Sequence, residues 1–340
     1  MKAFRRYVTT SILLLALLSF YIPIRYQTSY PKEIGPHFDD HIRTIYTDLL
    51  NEEQPEVLLL GDSMLEAAVD HEVIAGRLDK KTLPLSLYGS ASTLWYLILK
   101  NNILLAENKP EYLIIFFRDT MMTAPGYRAT GTYLEKIDEF ASSDDRLAAQ
   151  RAYIDQMTPP EKIMERYVPL YGSRWKIRQS IDYYIRISLG RVLLDCDSTC
   201  MNRAMERVFK ANNLDETFLS DAIVDVDKYM YTSGRLDFND QVGKSLLPEI
   251  IRLCKENDIQ LILVRTPILS FEEPGTQPSG LNAYVQNLAK YLDENEVLFF
   301  DFDQKDFTSE YFSDMVHLNE QGQAMFTQKL ATALLTAVNK

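Results

Sequence analysis

With 340 residues, 46% of them hydrophobic, the chain has apolar material for one large packed domain or two of ordinary size. Its formal net charge of −12 excludes general nucleic-acid binding, which needs a basic footprint. It contains no internal repeat, no phosphate-binding loop and no Cys/His cluster spaced for zinc, so it calls for no metal and no cofactor.

In chain order, Lys2, Arg5 and Arg6 precede the mostly apolar stretch Tyr7 to Ile24, which includes "SILLLALLSFYIPI". That length lies between a signal-peptide core and a comfortable membrane span. No small-x-small cleavage site follows, and Arg25 closes the stretch. Residues 1–25 therefore read as an uncleaved signal anchor in preference to a cleaved signal peptide, with a buried N-terminal helix as a further alternative. The basic cluster holds the N-terminus in the cytoplasm and places the body outside, as a single-pass protein of the cell membrane. Residues 26–54 read as a polar linker with one short helical stretch.

Five apolar runs then look like buried strands: Val57–Leu60, Leu83–Leu87, Tyr112–Phe117, Gln260–Val264 and Val297–Phe302. Most are continuous rather than alternating, as strands covered on both faces are. Helical patterns such as "TLWYLILKNNILLAEN" and "SLLPEIIRLCKEND" separate them. Alternating strands and helices predict an α/β fold with a doubly wound, mainly parallel five-stranded sheet over residues 55–340. Residues 125–245 break the alternation; they are rich in helical patterns and read as a helical cap inserted beside the sheet.

"LLLGDSMLEAA", residues 58–68, runs a buried strand through a turn into a helix. Ser63 has two readings there. It fits an S-x-x-E capping box with Glu66, and it fits a nucleophile at a strand end, where ligands of such sheets bind. A nucleophilic serine needs a base, and the base needs an orienting partner. Among the four histidines, His37 and His41 lie in the linker and His71 in the helical pattern after Ser63. The fourth is in "YFSDMVHLNEQGQAMF", where Asp314 and His317 stand three apart before a helix starting near Glu320, with Asn319 as its N-cap. This loop follows the last strand, so the topology can bring it beside Ser63. The alternative is a solvent-exposed loop histidine.

Gly61-Asp62-Ser63 and Asp314-Met-Val-His317-Leu-Asn-Glu-Gln-Gly322, in this order along the chain, resemble the SGNH (GDSL-type) hydrolase family. The resemblance covers roughly residues 55–338 around the insertion and implies a flavodoxin-like SGNH fold. It implies Ser63 as nucleophile, His317 as base and Asp314 as its orienting acid. The family's oxyanion hole also uses a glycine after the second strand, matched by Gly89 in "SLYGSAS", and an asparagine after the third. At that last position the chain departs from the family, with Arg118 and Asp119 in "FFRDT". Arg118 either supplies N–H donors to the oxyanion, binds an anionic group on the substrate, or forms a structural ion pair with Asp119. Arg265 in "LVRTPILS" is a second candidate for substrate contact, against a surface ion pair.

The resemblance points to acyl transfer through Ser63, to water or to a sugar hydroxyl, on O-acyl esters of a cell-surface glycan. Anchored relatives of this kind imply a multispanning membrane O-acyltransferase as partner. The alternative is a catalytically degenerate SGNH-like scaffold that binds glycan or such a partner. Residues 162–191 carry seven Lys or Arg against two acids, with Tyr167, Tyr171, Trp175, Tyr183 and Tyr184 among them, a mixture that suits sugars, anionic polymers or lipid head groups. An ordinary amphipathic cap helix accounts for the same stretch, with Ile177, Ile181, Tyr184 and Ser188 on one face. Cys196 and Cys200 in "CDSTC" can close a small disulfide or stay free, and Cys254 reads as core.

Overall fold

The computed structural model describes residues 2–36, 38, 42–130, 132–184, 200, 229–269, 278–302 and 307–338. His37, His41, Cys196 and residues 185–191 of the basic stretch lie outside them. By internal contacts the chain divides into two units, Met1–Pro36 with Ile154–Val226, and His37–Tyr153 with Asp227–Lys340.

The second unit holds the sheet. Its strands are β1 (Val57–Gly61), β2 (Thr82–Ser86), β3 (Tyr112–Phe117), β4 (Gln260–Arg265) and β5 (Leu298–Asp301). All are parallel, in the order β2-β1-β3-β4-β5. This is the α/β architecture expected from the sequence. Every residue of β1 is buried, and so is every residue of β3 and β4 after the first. The edge strands β2 and β5 are mostly half-buried, and Pro84 sits in β2, where a missing N–H is tolerated. In this strand order the direction of winding reverses between β1 and β3, and ligands of open parallel sheets bind at such a switch point beyond the strands' carboxyl ends.

Helices of the chain's first half are α1 (Lys2–Tyr26), α2 (Ile45–Glu53), α3 (Ser63–Ala68), α4 (His71–Leu78) and α5 (Ser92–Asn101). The interval 125–245 contributes α6 (Thr132–Asp138), α7 (Arg146–Ala149), α8 (Pro159–Tyr167), α9 (Pro169–Gly172), α10 (Arg174–Tyr183) and α11 (Phe238–Val242), with no strand among its described residues. After it come α12 (Leu247–Glu256), α13 (Leu281–Glu294) and α14 (Glu320–Val338).

One face of the sheet explains how the chain's two ends of interest meet. Val57 and Leu59 of β1, Ile114 and Phe116 of β3, and Ile262 and Val264 of β4 form one core with Leu65, Ile74, Phe326, Leu330 and Leu334. Those last five come from α3, α4 and α14, so burying the apolar stripe of α14 places the loop before it next to the start of α3. Thr327 fixes the docking: its hydroxyl donates to the Ala68 carbonyl (3.3 Å) and accepts from the Asp70 amide (3.0 Å). Gln323 Nε2 donates to the Glu66 carbonyl at 2.9 Å.

Candidate active site

Ser63 follows the buried end of β1 as the first residue of α3. The helix is capped one residue earlier. Asp62 has extended backbone, and its Oδ1 accepts from the Met64 amide at 2.9 Å. The capping reading of Ser63 therefore moves to Asp62, which leaves the Ser63 hydroxyl free to turn outward. It meets His317: Ser63 Oγ lies 2.8 Å from Nε2. On the far side of the ring, Nδ1 is 2.8 Å from Asp314 Oδ2. With Nδ1–H donating to the carboxylate, Nε2 is left as the acceptor for the serine proton.

The Asp314–His317 loop is held tightly. Asp314 Oδ1 accepts from the Val316 and His317 amides, each at 2.8 Å. The His317 carbonyl accepts from the Ser313 amide at 2.8 Å, and Phe312 and Leu318 form an antiparallel bridge. Asn319 caps α14, its Oδ1 accepting from Gln321 (3.1 Å) and Gly322 (3.0 Å), and its Nδ2 donates back to the Glu310 carbonyl. At Gly322 a Cβ would lie 2.2 Å from the Tyr311 carbonyl oxygen, so only glycine allows this close approach.

The electrostatics follow from this geometry. Burial pushes the Asp314 carboxyl up, but hydrogen bonds from the His317 ring and from the two backbone amides outweigh it and hold the group down to about 2. The same bond to Asp314 raises His317 above its ordinary value, against partial burial; Asp62 adds to the rise and Arg128 opposes it.

Gly89 sits in the turn after β2 with φ +71°, a conformation that favours glycine. The turn lies against the end of β1, since the Leu87 amide (2.8 Å) and the Ser90 hydroxyl (3.2 Å) both donate to the Gly61 carbonyl. Arg118 is buried at the end of β3 and donates to the Tyr127 hydroxyl at 3.2 Å. Arg265 does not stand free for substrate. Its guanidinium donates to Asp119 Oδ1 at 2.6 and 2.9 Å and to the Asp301 carboxylate at 3.0 and 3.1 Å, tying together the ends of β3, β4 and β5. The reason is burial: Asp119 is 1% exposed and needs a cation and donors, which Arg265 and the Tyr231 hydroxyl provide. The ion pair of this region is thus internal, and it joins Asp119 to Arg265.

Sequence reading missed Arg128. Its Nη1 donates to Asp62 Oδ2 at 3.0 Å, and its guanidinium lies over the Tyr127 ring. Its backbone is left-handed, φ +50°, and its side chain is 22% exposed. The available signal was the rule that a buried carboxylate such as Asp62, 4% exposed, requires a counter-charge. No spacing rule pointed 66 residues along the chain.

Among the described residues, no group of three or more His, Cys, Asp or Glu side chains could hold a metal ion. Cys200 is disulfide-bonded, and Cys254 is free and buried, its thiol pushed up to about 12 by burial. His71 opens α4, where Asp70 is the cap.

No protein-family profile and no curated protein matches the chain. Solved structures do, at a distance. It is similar to a GDSL-like lipase from Bacteroides thetaiotaomicron, at 11% identity over 83% of this chain and 88% of that one, TM-score 0.37. It is similar also to a "putative acylhydrolase" from Bacteroides fragilis, at 12% identity over 86% and 95%, TM-score 0.39. A "putative arylesterase" from Agrobacterium tumefaciens matches at 12% identity over 82% and 98%, TM-score 0.30. At such scores the chemistry has to be read from the site itself.

Proposed function

We propose that this chain is a membrane-anchored, SGNH-like serine enzyme that acts on acyl esters. The observation that carries this reading is the Ser63–His317–Asp314 relay, with both of its links at 2.8 Å. Ser63 Oγ attacks the ester carbonyl while His317 Nε2 takes its proton; the carbonyl π electrons move to oxygen, giving a tetrahedral oxyanion. Asp314 keeps the ring in the required tautomer and steadies its positive charge. Collapse expels the alkoxide, which receives the proton from His317, and leaves an acyl-serine. Water or a sugar hydroxyl then gives its proton to His317 and attacks the acyl carbon, and Ser63 is released with its proton restored.

The oxyanion needs donors. The Ser63 amide is the first N–H of α3, ahead of the Met64 and Leu65 amides that Asp62 takes up, and the helix end favours negative charge. The amide of Gly89, in the neighbouring turn, is the second donor in this reading. The substrate is an O-acylated cell-surface glycan or related polymer, and a multispanning membrane O-acyltransferase supplies or accepts the acyl group. Helix α1, long and apolar enough over Phe4–Tyr26 to cross a membrane, is the anchor, and the basic residues ahead of it leave the body outside the cytoplasm.

Serine labelling with a fluorophosphonate probe tests the chemistry. Wild type should be labelled and Ser63→Ala and His317→Ala should not; equal labelling of all three would end the proposal. One observation favours a second reading, a scaffold that binds without reacting: Arg118 and Asp119, where the family has its oxyanion asparagine, are turned onto Tyr127 and Arg265. An unlabelled but folded wild type would select that reading.

A further inference from the structure

Helix α8 is amphipathic the wrong way round for a protein in water. Its Glu165 faces inward, 5% exposed, ion-paired to Lys32 (2.5 Å) and to Arg174. Its apolar stripe, Pro160, Ile163, Met164, Tyr167 and Val168, faces outward. Ile163 is 61% exposed and Tyr167 57%, at the i, i+3, i+4, i+7, i+8 spacing that ordinarily marks the buried side of a helix. Helix α10 repeats the pattern at its end, where Ile181 and Tyr184 are also exposed. An exposed apolar patch of this kind marks an interaction surface.

Its place in the chain says what covers it. Helix α1 over Phe4–Tyr26 is about 34 Å long at 1.5 Å per residue, against a hydrocarbon core of about 30 Å. A span of that length brings its last residues out at the level of the lipid head groups. The end of α1 and the six residues after it are where α8, α9 and α10 are attached. Tyr26 donates from its hydroxyl to Ser180 (3.0 Å), Tyr30 to the Pro169 carbonyl (3.2 Å), and the Lys32 amide to the Arg166 carbonyl (3.1 Å). Helix α9 packs against α1 itself, and Ile22, four residues before the end of α1, is buried. Arg25 lies close to Tyr184. Tyr21 and Tyr26 in the last turns of the span, with Tyr184 beside Arg25, thus gather at its exit, as aromatic residues do at membrane interfaces. Exposed Arg166 and Lys176 add positive charge suited to anionic head groups.

We infer that α8 and the end of α10 form an interfacial collar, which lies in the head-group region of the bilayer around the exit of α1 and buries Ile163, Met164, Tyr167, Val168, Ile181 and Tyr184 among the upper acyl chains. This rests on α1 spanning the bilayer, and the test separates the two claims. The full chain is reconstituted in phosphatidylcholine vesicles containing a minor fraction of phosphatidylglycerol. An environment-sensitive NBD fluorophore is attached, without reductant, through an introduced cysteine, either Leu14→Cys in the middle of α1 or Met164→Cys on the stripe. Lipids carrying a doxyl quencher deep in the acyl chain should quench the Leu14 probe. Lipids with the quencher near the head group should quench the Met164 probe, which should also be shielded from aqueous iodide. Adding Ile163→Glu and Tyr167→Glu should abolish lipid quenching at 164 and leave it unchanged at 14. If Leu14 is quenched and Met164 is not, the span stands and the collar falls: access to iodide then means a solvent-facing stripe, and shielding from iodide means a second copy or another protein on it. If neither probe is quenched, α1 is not a span and the collar falls with it.

Discussion

Replacing Arg265 by methionine separates two roles that its position at a strand end left open. The guanidinium makes two hydrogen bonds to Asp119 and two to Asp301, and it is buried, 8% exposed. Burial opposes its charge, but the two carboxylates outweigh that and keep it protonated. Methionine fills similar volume and carries no charge, so the main loss falls on Asp119. That carboxylate is 1% exposed and would be left with the Tyr231 hydroxyl. Breaking a buried pair by removing one partner costs about 3–5 kcal/mol, several times an exposed pair. Asp301 adds little, because its side chain is 30% exposed and water can replace the arginine. For a domain of this size each kcal/mol is about 2–4 °C in Tm, so a loss of roughly 6–20 °C is expected. Circular dichroism or scanning calorimetry reads it directly. Below the transition, Arg265→Met should keep most of the fluorophosphonate labelling rate, since no contact to Ser63 is removed. Adding Asp119→Leu should recover much of the stability, as a buried pair replaced by apolar groups often costs nothing. A variant that melts like wild type but loses ester turnover would refute this reasoning and return Arg265 to substrate contact.

Further outcomes follow from the site. Asp62→Ala removes the cap of α3 and should cost about 1 kcal/mol or more, whereas Ser63→Ala should leave the denaturation midpoint nearly unchanged while ending labelling. Gly322→Ala puts a Cβ 2.2 Å from the Tyr311 carbonyl oxygen; the loop carrying His317 must shift, so labelling should fall even where the circular dichroism spectrum is native. The pH–rate profile of labelling should rise through a midpoint above 6.5, because Asp314 raises His317 and only the neutral ring accepts the serine proton; Asp314→Asn should lower that midpoint and slow the reaction. The linked stability has the opposite sign at the two partners. The His317 contribution is complete below pH 6.5 and is lost as pH rises through its higher folded value, and the Asp314 contribution is present above pH 3.8 and lost as pH falls toward about 2.

The sheet was legible because its inner strands are buried on both faces, which writes them as unbroken apolar runs; Tyr112–Phe117 came out to the residue, and β2 and β5 within one residue at each end. The pairing of Ser63 with His317 was legible through topology, since a helix with Phe326, Leu330 and Leu334 on one stripe had to dock on the sheet and bring its preceding loop along. What the sequence concealed depends on backbone angles and on distant partners. Asp62 and Ser63 are equally good caps by residue type, and only the extended conformation at Asp62 decides between them. The same limit hid Arg128, and it hid Asp119 as the partner of Arg265, 146 residues away. Periodicity marked Ile181 and Tyr184 as one face of a helix, but it carries no sign for inside and outside; both side chains point outward.

The division of labour between Asp62 and Ser63 bears on how the site holds its charge. A serine that capped its own helix would turn its oxygen toward the backbone amides, away from any substrate. With Asp62 in that place, a buried carboxylate lies one residue from the Ser63 hydroxyl and has to be balanced. Arg128 balances it and so reaches the site from a loop beyond the third strand. The two charges then act on His317 in opposite directions, Asp62 favouring the protonated ring and Arg128 disfavouring it. Removing Arg128 alone leaves the carboxylate uncompensated and strengthens the proton's hold on the base. Arg128→Gln should therefore move the midpoint of the pH–rate profile upward, opposite in sign to Asp314→Asn, while the serine remains reactive at high pH. A downward shift would mean that Arg128 governs the ring by some route other than its charge.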